Sequence, residues 1–278
     1  MISHTEKAAI LVETLPYIQR FDGKVFLIKY GGKAMVNESL KRSVIEDVVL
    51  LKQVGINPVI VHGGGPEISA AMKAANLEPK FVNGLRATDS ETMEIVEKTF
   101  SKINLEICSI MKECGGKPLS FSGRDNTMFL ADAKDEKLGF VGKIAKVNPV
   151  VVLLAARNGY IPVISPIGVG KDNNLYNVNA DTAAAALAVA LKAEKMTLLT
   201  DVEGVLENGK LISSISFRGA ESLIKSGVIS GGMIPKVEAC ISAVKGGCNK
   251  AYLIDGTLMH SMLLEIFTNE GVGTEIVK

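Results

Sequence analysis

The stretch VIVHGGGPEIS, Val59–Ser69, runs from apolar, strand-forming residues straight into three consecutive glycines and then a proline. Each glycine loses more conformational freedom on folding than any other residue, so three in a row need a reason. Pro66 suits the first turn of a helix, where its missing N–H is no loss. The stretch therefore reads as strand, glycine loop, helix. In open α/β sheets that junction is where ligands bind. Without Cβ atoms, backbone N–H groups approach an anion closely, and the helix dipole favours negative charge there. A second pair, in KYGGKAM (Lys29–Met35), follows another apolar strand in the same way. Gly31, Gly32, Gly63 and Gly64 together read as a nest for a polyphosphate. One glycine turn alone is as readily a plain tight turn; two at strand ends weigh towards a ligand.

Outward from these loops, strand-like and helix-like segments alternate along the chain. Lys24–Tyr30 reads as a buried strand, Glu38–Gly55 as a helix stopped by glycine, and Pro66–Asn76 as a second helix. A long helix follows from Ser90 to about Glu113, then short strands near Leu119, Met128 and Phe140, a helix over Asn148–Arg157 and a strand over Tyr160–Ser165. The second part has a helix over about Asn179–Ala193 and a strand over Lys195–Thr200. A helix after Gly232, a strand over Lys250–Asp255 and a last helix near His260 complete it. Repeated β-α units predict an α/β fold with a mainly parallel sheet covered on both faces. The glycine- and asparagine-rich Gly168–Asn177 is the boundary candidate, dividing the chain into 1–23, 24–168 and 169–278.

Composition narrows the function. In 278 residues, Lys+Arg number 31 and Asp+Glu 30, so no basic field exists for nucleic acid or an anionic membrane. Trp is absent and aromatics are 5%, which leaves no base-stacking platform. Cys108, Cys114, Cys240 and Cys248 form no C-x-x-C pair, and His4, His62 and His260 are scattered, so no metal site is predicted. The start MISHTEKAAI lacks a signal peptide's pattern, and the longest apolar run, Val150–Ala156, is too short to span a bilayer. The expected location is the cytoplasm.

Familiar nucleotide motifs are absent: there is no Walker A loop, no G-x-G-x-x-G opening a helix, and no H-R-D or D-F-G element. Phosphate chemistry must use other residues. Phosphoryl transfer asks for preorganised positive charge. Lys29 interrupts an apolar strand directly before Gly31, and a charge in a buried run needs a partner or a task. Lys236 follows GGMIP at the start of an amphipathic helix; alone it is most simply a solvated lysine. Asp181, in YNVNADTAAAALA, stands in the first turn of an alanine-rich helix after Asn177 and Asn179. It is either a partner of the helix dipole, with Asn179 as cap, or the organiser of the two lysines. Arg86, between apolar residues after a turn, offers a planar fork for a carboxylate, or is a hairpin surface arginine.

The segments IKYGGKAM, VIVHGGGPEI, FVNGLRATD, GFVGKIAKVNP, YNVNADTAAAALA, LLTDVEGVL, GGMIPKVEACISAV and FTNEGVGT occur in this order. From about residue 7 to the C-terminus the chain resembles the amino acid kinase family, and within it the members that phosphorylate N-acetyl-L-glutamate. The resemblance implies an open three-layer αβα sandwich of two lobes. The N-terminal lobe would bind the acylamino acid and make the dimer contact, and the C-terminal lobe would bind ATP. It implies Mg2+ with ATP, and transfer to the γ-carboxylate as the second step of arginine biosynthesis. Lys29 and Lys236 would then stabilise the moving phosphoryl group with Asp181 positioning them, and the glycines would face phosphate and substrate. Gly64, Gly65, Arg86, Asn177 and Asn179 would contact the acylamino acid. Thr200, Asp201, Val205 and Lys236 would lie near the nucleotide.

Before the first strand, Leu11, Leu15 and Ile18 share one helical stripe, and Pro16 is expected to kink that helix. By pattern the helix packs on its own lobe. The resemblance implies instead that it joins homodimers into a homohexamer, with arginine as an inhibitor bound beside it near His260, Glu265 and Glu275. The chain departs from the family pattern at Lys33, around Arg124 in SFSGRDNTMF, and near Asn104 in INLEIC. Two rivals stand beside this reading: an amino acid kinase for another acceptor, such as glutamate, carbamate, acylaminoadipate or UMP, and an arginine-sensing module without catalysis.

Overall fold

A computed structural model describes residues 3–82, 84–269 and 271–278; Asn83 of the NGLRATD segment and the first two residues of segment 1–23 lie outside the described residues. The chain opens with helices α1 (His4–Glu13) and α2 (Leu15–Phe21). It continues through β1 (Val25–Tyr30), α3 (Glu38–Gln53), β2 (Asn57–His62), α4 (Gly65–Ala74), the hairpin strands β3 (Phe81–Val82) and β4 (Leu85–Arg86), and α5 (Ser90–Glu113). Next come β5 (Pro118–Ser122), β6 (Phe129–Ala133), β7 (Val141–Val147), α6 (Val150–Arg157), β8 (Ile161–Ser165), β9 (Ile167–Val169) and β10 (Leu175–Val178). The remainder is α7 (Ala180–Ala190), β11 (Lys195–Thr200), β12 (Leu206–Glu207), β13 (Lys210–Leu211), β14 (Ser214–Ser216), α8 (Phe217–Lys225), α9 (Met233–Gly246), β15 (Lys250–Asp255), α10 (Ser261–Phe267) and β16 (Thr274–Val277).

Eight strands form one sheet in the order β14-β16-β15-β11-β1-β2-β8-β5. All its neighbouring pairs are parallel except β15 with β16. Successive side chains of a strand face opposite sides, and β1 obeys this: Phe26, Ile28 and Tyr30 enter a core formed with α3, α4, α5 and α10. Leu27 enters the other core, formed with α6, α7, α8 and α9. Helices on both faces complete the expected three-layer α/β sandwich. Because the central strands are parallel, the glycine loops after β1 and β2 emerge at the same sheet edge, side by side, with Tyr30 in register with His62.

Local chemistry sets the ends. Asn37 caps α3, its side chain accepting from the N–H groups of Ser39 and Leu40. Asn179 caps α7 by accepting from Thr182 N. The structure refines several expectations. Helix α6 begins at Val150, not Asn148, because the residue before a proline avoids helical dihedrals; Asn148 N–H donates to Met128 O instead. The N-terminal helix is two helices. It breaks at Thr14, two residues before Pro16, because proline has no N–H and its ring crowds the preceding turn. The strands placed near Met128 and Phe140 begin one residue later, and with β9 and β10 they close a small four-stranded barrel. The boundary segment Gly168–Asn177 is a β9–β10 hairpin of that barrel.

Helix α7 packs tightly on its neighbours: Ala183, Ala184 and Ala188 are fully buried, and its face meets α9 and β1. Small side chains permit that approach. Ala184→Leu should therefore cost about 1–3 kcal/mol through overpacking and lower the urea midpoint. An unchanged midpoint would show that the helix has room to spare.

Candidate active site

The glycine-lined edge holds the site. Lys29, the last but one residue of β1, points to the α7 side and is buried. Its Nζ lies 3.0 Å from Asp181 Oδ1 in the first turn of α7. Lys236, in the first turn of α9, sets its Nζ 3.6 Å from Asp181 Oδ2. Three elements distant in sequence thus bring two ammonium groups to one carboxylate. Burial pushes the Asp181 carboxyl up, but the Lys29 and Lys236 charges outweigh it and hold the group below the usual carboxylate range. Lys236 is pushed down by burial and by Lys29, against the pull of Asp181.

Beside this triad lies a cavity of about 210 Å³ lined by Lys29, Gly63, Gly64, Gly65, Arg86, Asn177, Asn179 and Asp181. The acylamino-acid set expected from the sequence therefore converges on one space. Arg86 closes one end: its Nη2 donates to Gly65 O and Ser69 Oγ, each at 2.8 Å, and its guanidinium lies 4.8 Å from the Phe81 ring. No carboxylate pairs with Arg86 among the described residues. Asn177 donates to Thr88 Oγ1, and Asn179 spends its side-chain oxygen on the α7 cap. Ile68, Phe100, Val141 and Val178 supply an apolar wall that sequence reasoning missed. They come from four separate elements, so no local pattern announced them.

The glycines differ in what they do. A Cβ on Gly64 would meet Ile103 and Phe100 at 2.8 and 2.9 Å, and one on Gly31 would sit 2.9 Å from Lys29 Nζ and push the ammonium from its place. Gly32 has φ +73°, and its Cβ would lie 2.6 Å from Asp201 Oδ1. Gly63 needs correcting: its N–H donates to Tyr30 O at 2.7 Å, so it gives space but no donor to an anion. Helix α4 begins behind Gly64, at the cavity wall, with no side-chain cap for its first-turn N–H groups.

Of the nucleotide set, Thr200 and Asp201 stand at the same edge. Asp201 Oδ1 accepts from Lys33 N–H at 2.8 Å, tying the loop after β11 to the loop after β1. Thr200 donates to Val202 O. Val205 is buried, and its N–H is already held by Thr274 Oγ1 at 2.8 Å, so its amide is closed to a ligand.

A second cavity, about 350 Å³, lies between α2, the starts of β11 and β15, and the C-terminal segment. Glu275 accepts there from Lys250 Nζ, Tyr252 Oη and Ser214 Oγ. Glu265 accepts from Val272 N–H and Gly273 N–H, and burial raises its pKa. Lys195 Nζ lies 4.6 Å from the Tyr252 ring, and burial pushes its pKa down to about 8. Two of the three residues expected near an effector, Glu265 and Glu275, meet in this space. His260 does not: it is held by Asp47 Oδ1 at 2.6 Å and by Ser43 on α3.

The profile of the amino acid kinase family matches residues 24–255. The chain is 56% identical to the acetylglutamate kinase of Caldanaerobacter subterraneus subsp. tengcongensis, over 98% of this chain and 93% of that one. It is 49% identical to that of Desulforamulus reducens, over 100% and 99%. Among solved structures, N-acetylglutamate synthase from Neisseria gonorrhoeae superposes with a TM-score of 0.86 at 23% identity, covering 98% of this chain but 63% of that one. Carbamate kinase from Giardia lamblia superposes at 0.70 with 18% identity, covering 92% and 99%. These last two likenesses concern the fold.

One buried group makes folding pH-dependent. Burial pushes the His62 pKa from 6.5 down to about 4. The folded chain then binds fewer protons than the unfolded one between those values. This part of the stability is present above pH 6.5 and is lost as pH falls towards 4, roughly 3 kcal/mol in all. In urea unfolding between pH 4.5 and 7, His62→Gln should flatten that slope; an identical slope in both chains would place its origin elsewhere.

Proposed function

The chain belongs to the amino acid kinase family, and on that premise we propose how its cleft divides the work of phosphoryl transfer. The activity is that of its acetylglutamate kinase relatives: ATP-dependent phosphorylation of N-acetyl-L-glutamate in arginine biosynthesis. The observation that carries the site reading is the pair of ammonium groups, Lys29 and Lys236, gathered on Asp181 beside the glycine loops.

Transfer to a carboxylate brings two anions together. The substrate's γ-carboxylate oxygen attacks the γ-phosphorus of ATP, the bond to the ADP oxygen breaks, and ADP leaves with that electron pair. The attacking group is already ionised, so no general base is needed. The task is electrostatic and positional. Lys29 and Lys236 offset charge on the moving phosphoryl group, and Asp181 keeps the two ammonium groups from separating under their mutual repulsion. The amides at Gly32, Gly64 and Gly65 face the phosphate chain. Arg86, with no carboxylate of its own among the described residues, takes the α-carboxylate of the acylamino acid. Asn177 and Asn179 flank it, and the apolar wall accepts the acetyl group. Residues 169–278 bind ATP through the region of Thr200 and Asp201, and 24–168 bind the acyl acceptor. Asp181 is already engaged by two lysines, and no three metal-capable side chains gather among the described residues. This donor set fits Mg2+ carried on the phosphates of ATP, where the ion screens their charge.

Removing one preorganised donor should cost turnover about 10²-fold or more. Lys29→Ala and Lys236→Ala are expected to lose at least that in kcat, measured on chains that still unfold cooperatively, since each also breaks a buried ion pair and lowers stability; near-normal turnover in either refutes the assignment. Arg86→Ala should raise KM for N-acetyl-L-glutamate with kcat less affected. A panel of N-acetyl-L-glutamate, glutamate, carbamate, acylaminoadipate and UMP with ATP separates the acceptor readings. ATP turnover indifferent to any acylamino acid would favour a sensing module.

Regulation by arginine and a hexameric assembly form the second part of the proposal. The cavity between α2 and the C-terminus presents Glu265 and Glu275 beside Lys195, which suits a cationic side chain together with a carboxylate. No helix among the described residues is long and apolar enough to cross a membrane. Yet Ile10, Leu11 and Val12 of α1 are 50%, 73% and 68% exposed, a patch suited to a second copy of the chain. A chain beginning at Gly23 should sediment as a dimer and lose arginine inhibition; a hexamer would contradict the role of α1.

A further inference from the structure

His62 ends β2 directly before the glycine loop and is fully buried. Its Nδ1 lies 2.7 Å from Gly63 O, and its Nε2 lies 2.8 Å from Asn104 Oδ1. The Asn104 amide is oriented from outside the pair, since its Nδ2 donates to Phe121 O at 2.8 Å. Both ring nitrogens therefore face oxygens that only accept. A neutral imidazole carries one N–H and satisfies one of them; the imidazolium satisfies both. With the single proton on Nε2, the lone pair of Nδ1 faces the Gly63 carbonyl; with it on Nδ1, the lone pair of Nε2 faces Asn104 Oδ1, so one of the two contacts is always without its hydrogen. With a second proton the carbonyl is fixed, and with it the direction of the Gly64 and Gly65 amides.

What opposes the second proton is burial, which keeps the ring neutral in the free protein. Among the described residues, no carboxylate or ammonium acts on the ring's charge. The wall from α5 offers Phe100, edge-on at 5.5 Å, and Asn104. Across the sheet the titratable neighbour is Tyr30, in register with His62, and its Oη turns away to donate to Ala34 O. From β5 comes only the Phe121 carbonyl, received by Asn104. The missing counter-charge is what a polyphosphate would bring to the adjoining loop.

We propose that His62 is a proton-linked positioning residue: anionic ligand in the glycine cleft draws a second proton from solvent onto the ring, and the resulting imidazolium holds the Gly63 peptide and Asn104 together. The inference rests on the glycine cleft being the phosphate site. It assigns a role to the Asn104 region, where the chain departs from its family's pattern.

The test is calorimetric. Mg-AMPPNP is titrated into the full chain with N-acetyl-L-glutamate present, at pH 7, in PIPES and in Tris, whose ionisation enthalpies differ. The wild-type chain should take up at least ~0.3 proton per site more than His62→Gln, and its affinity should fall towards alkaline pH while that of the variant changes less. A residue that only packs would alter stability or affinity in the variant but not the proton count. If His62→Gln loses cooperative unfolding, His62→Asn replaces it. Binding with equal proton uptake in both chains overturns the inference alone. No binding in the wild-type chain overturns it together with the cleft assignment.

Discussion

Two like charges held on one buried carboxylate are the constraint around which the rest is arranged. Lys29 and Lys236 repel each other and both lose hydration, so neither would stay without Asp181. Removing the carboxylate would leave uncompensated buried charge, which costs far more than a surface pair is worth. The position of Asp181 is in turn fixed by α7, whose alanines let the helix lie close to β1 and α9. A row of small side chains thus serves electrostatics: it holds a carboxylate rigid where two cations need it.

Around that centre, backbone and space matter more than side chains. Gly31 makes room for the Lys29 ammonium, and Gly64 makes room for Phe100 and Ile103. Helix α5 is therefore part of the site although none of its residues carries charge into it. Asp201, accepting from Lys33 N–H, couples the loops after β1 and β11 and so connects the two halves of the sheet at their functional edge.

Parallel topology also explains the second cavity. The strands that end at the glycine-loop edge begin at the other edge of the sheet: β11 runs from Lys195, in the second cavity, to Thr200, next to Asp201. Six residues span only about 17 Å. One strand thus links the two edges of the sheet over that short distance.

The sequence by itself determined the α/β sandwich, because strands buried on both faces read as continuous apolar runs and the helices as 3.6-residue periods. It also marked Lys29, since a charge inside such a run is conspicuous, and the glycine loops, since consecutive glycines are costly. Asp181 and Lys236 were ambiguous alone, each resembling an ordinary first-turn residue. Only the folded chain shows them sharing a site, because contact between residues 29, 181 and 236 depends on strand order and helix packing. The Gly63 N–H spent on Tyr30, the Val205 amide closed by Thr274, the small barrel from β6, β7, β9 and β10, and the separation of His260 from Glu265 were likewise decided in three dimensions. A hydrogen bond between distant segments leaves no period and no spacing in the chain that makes it.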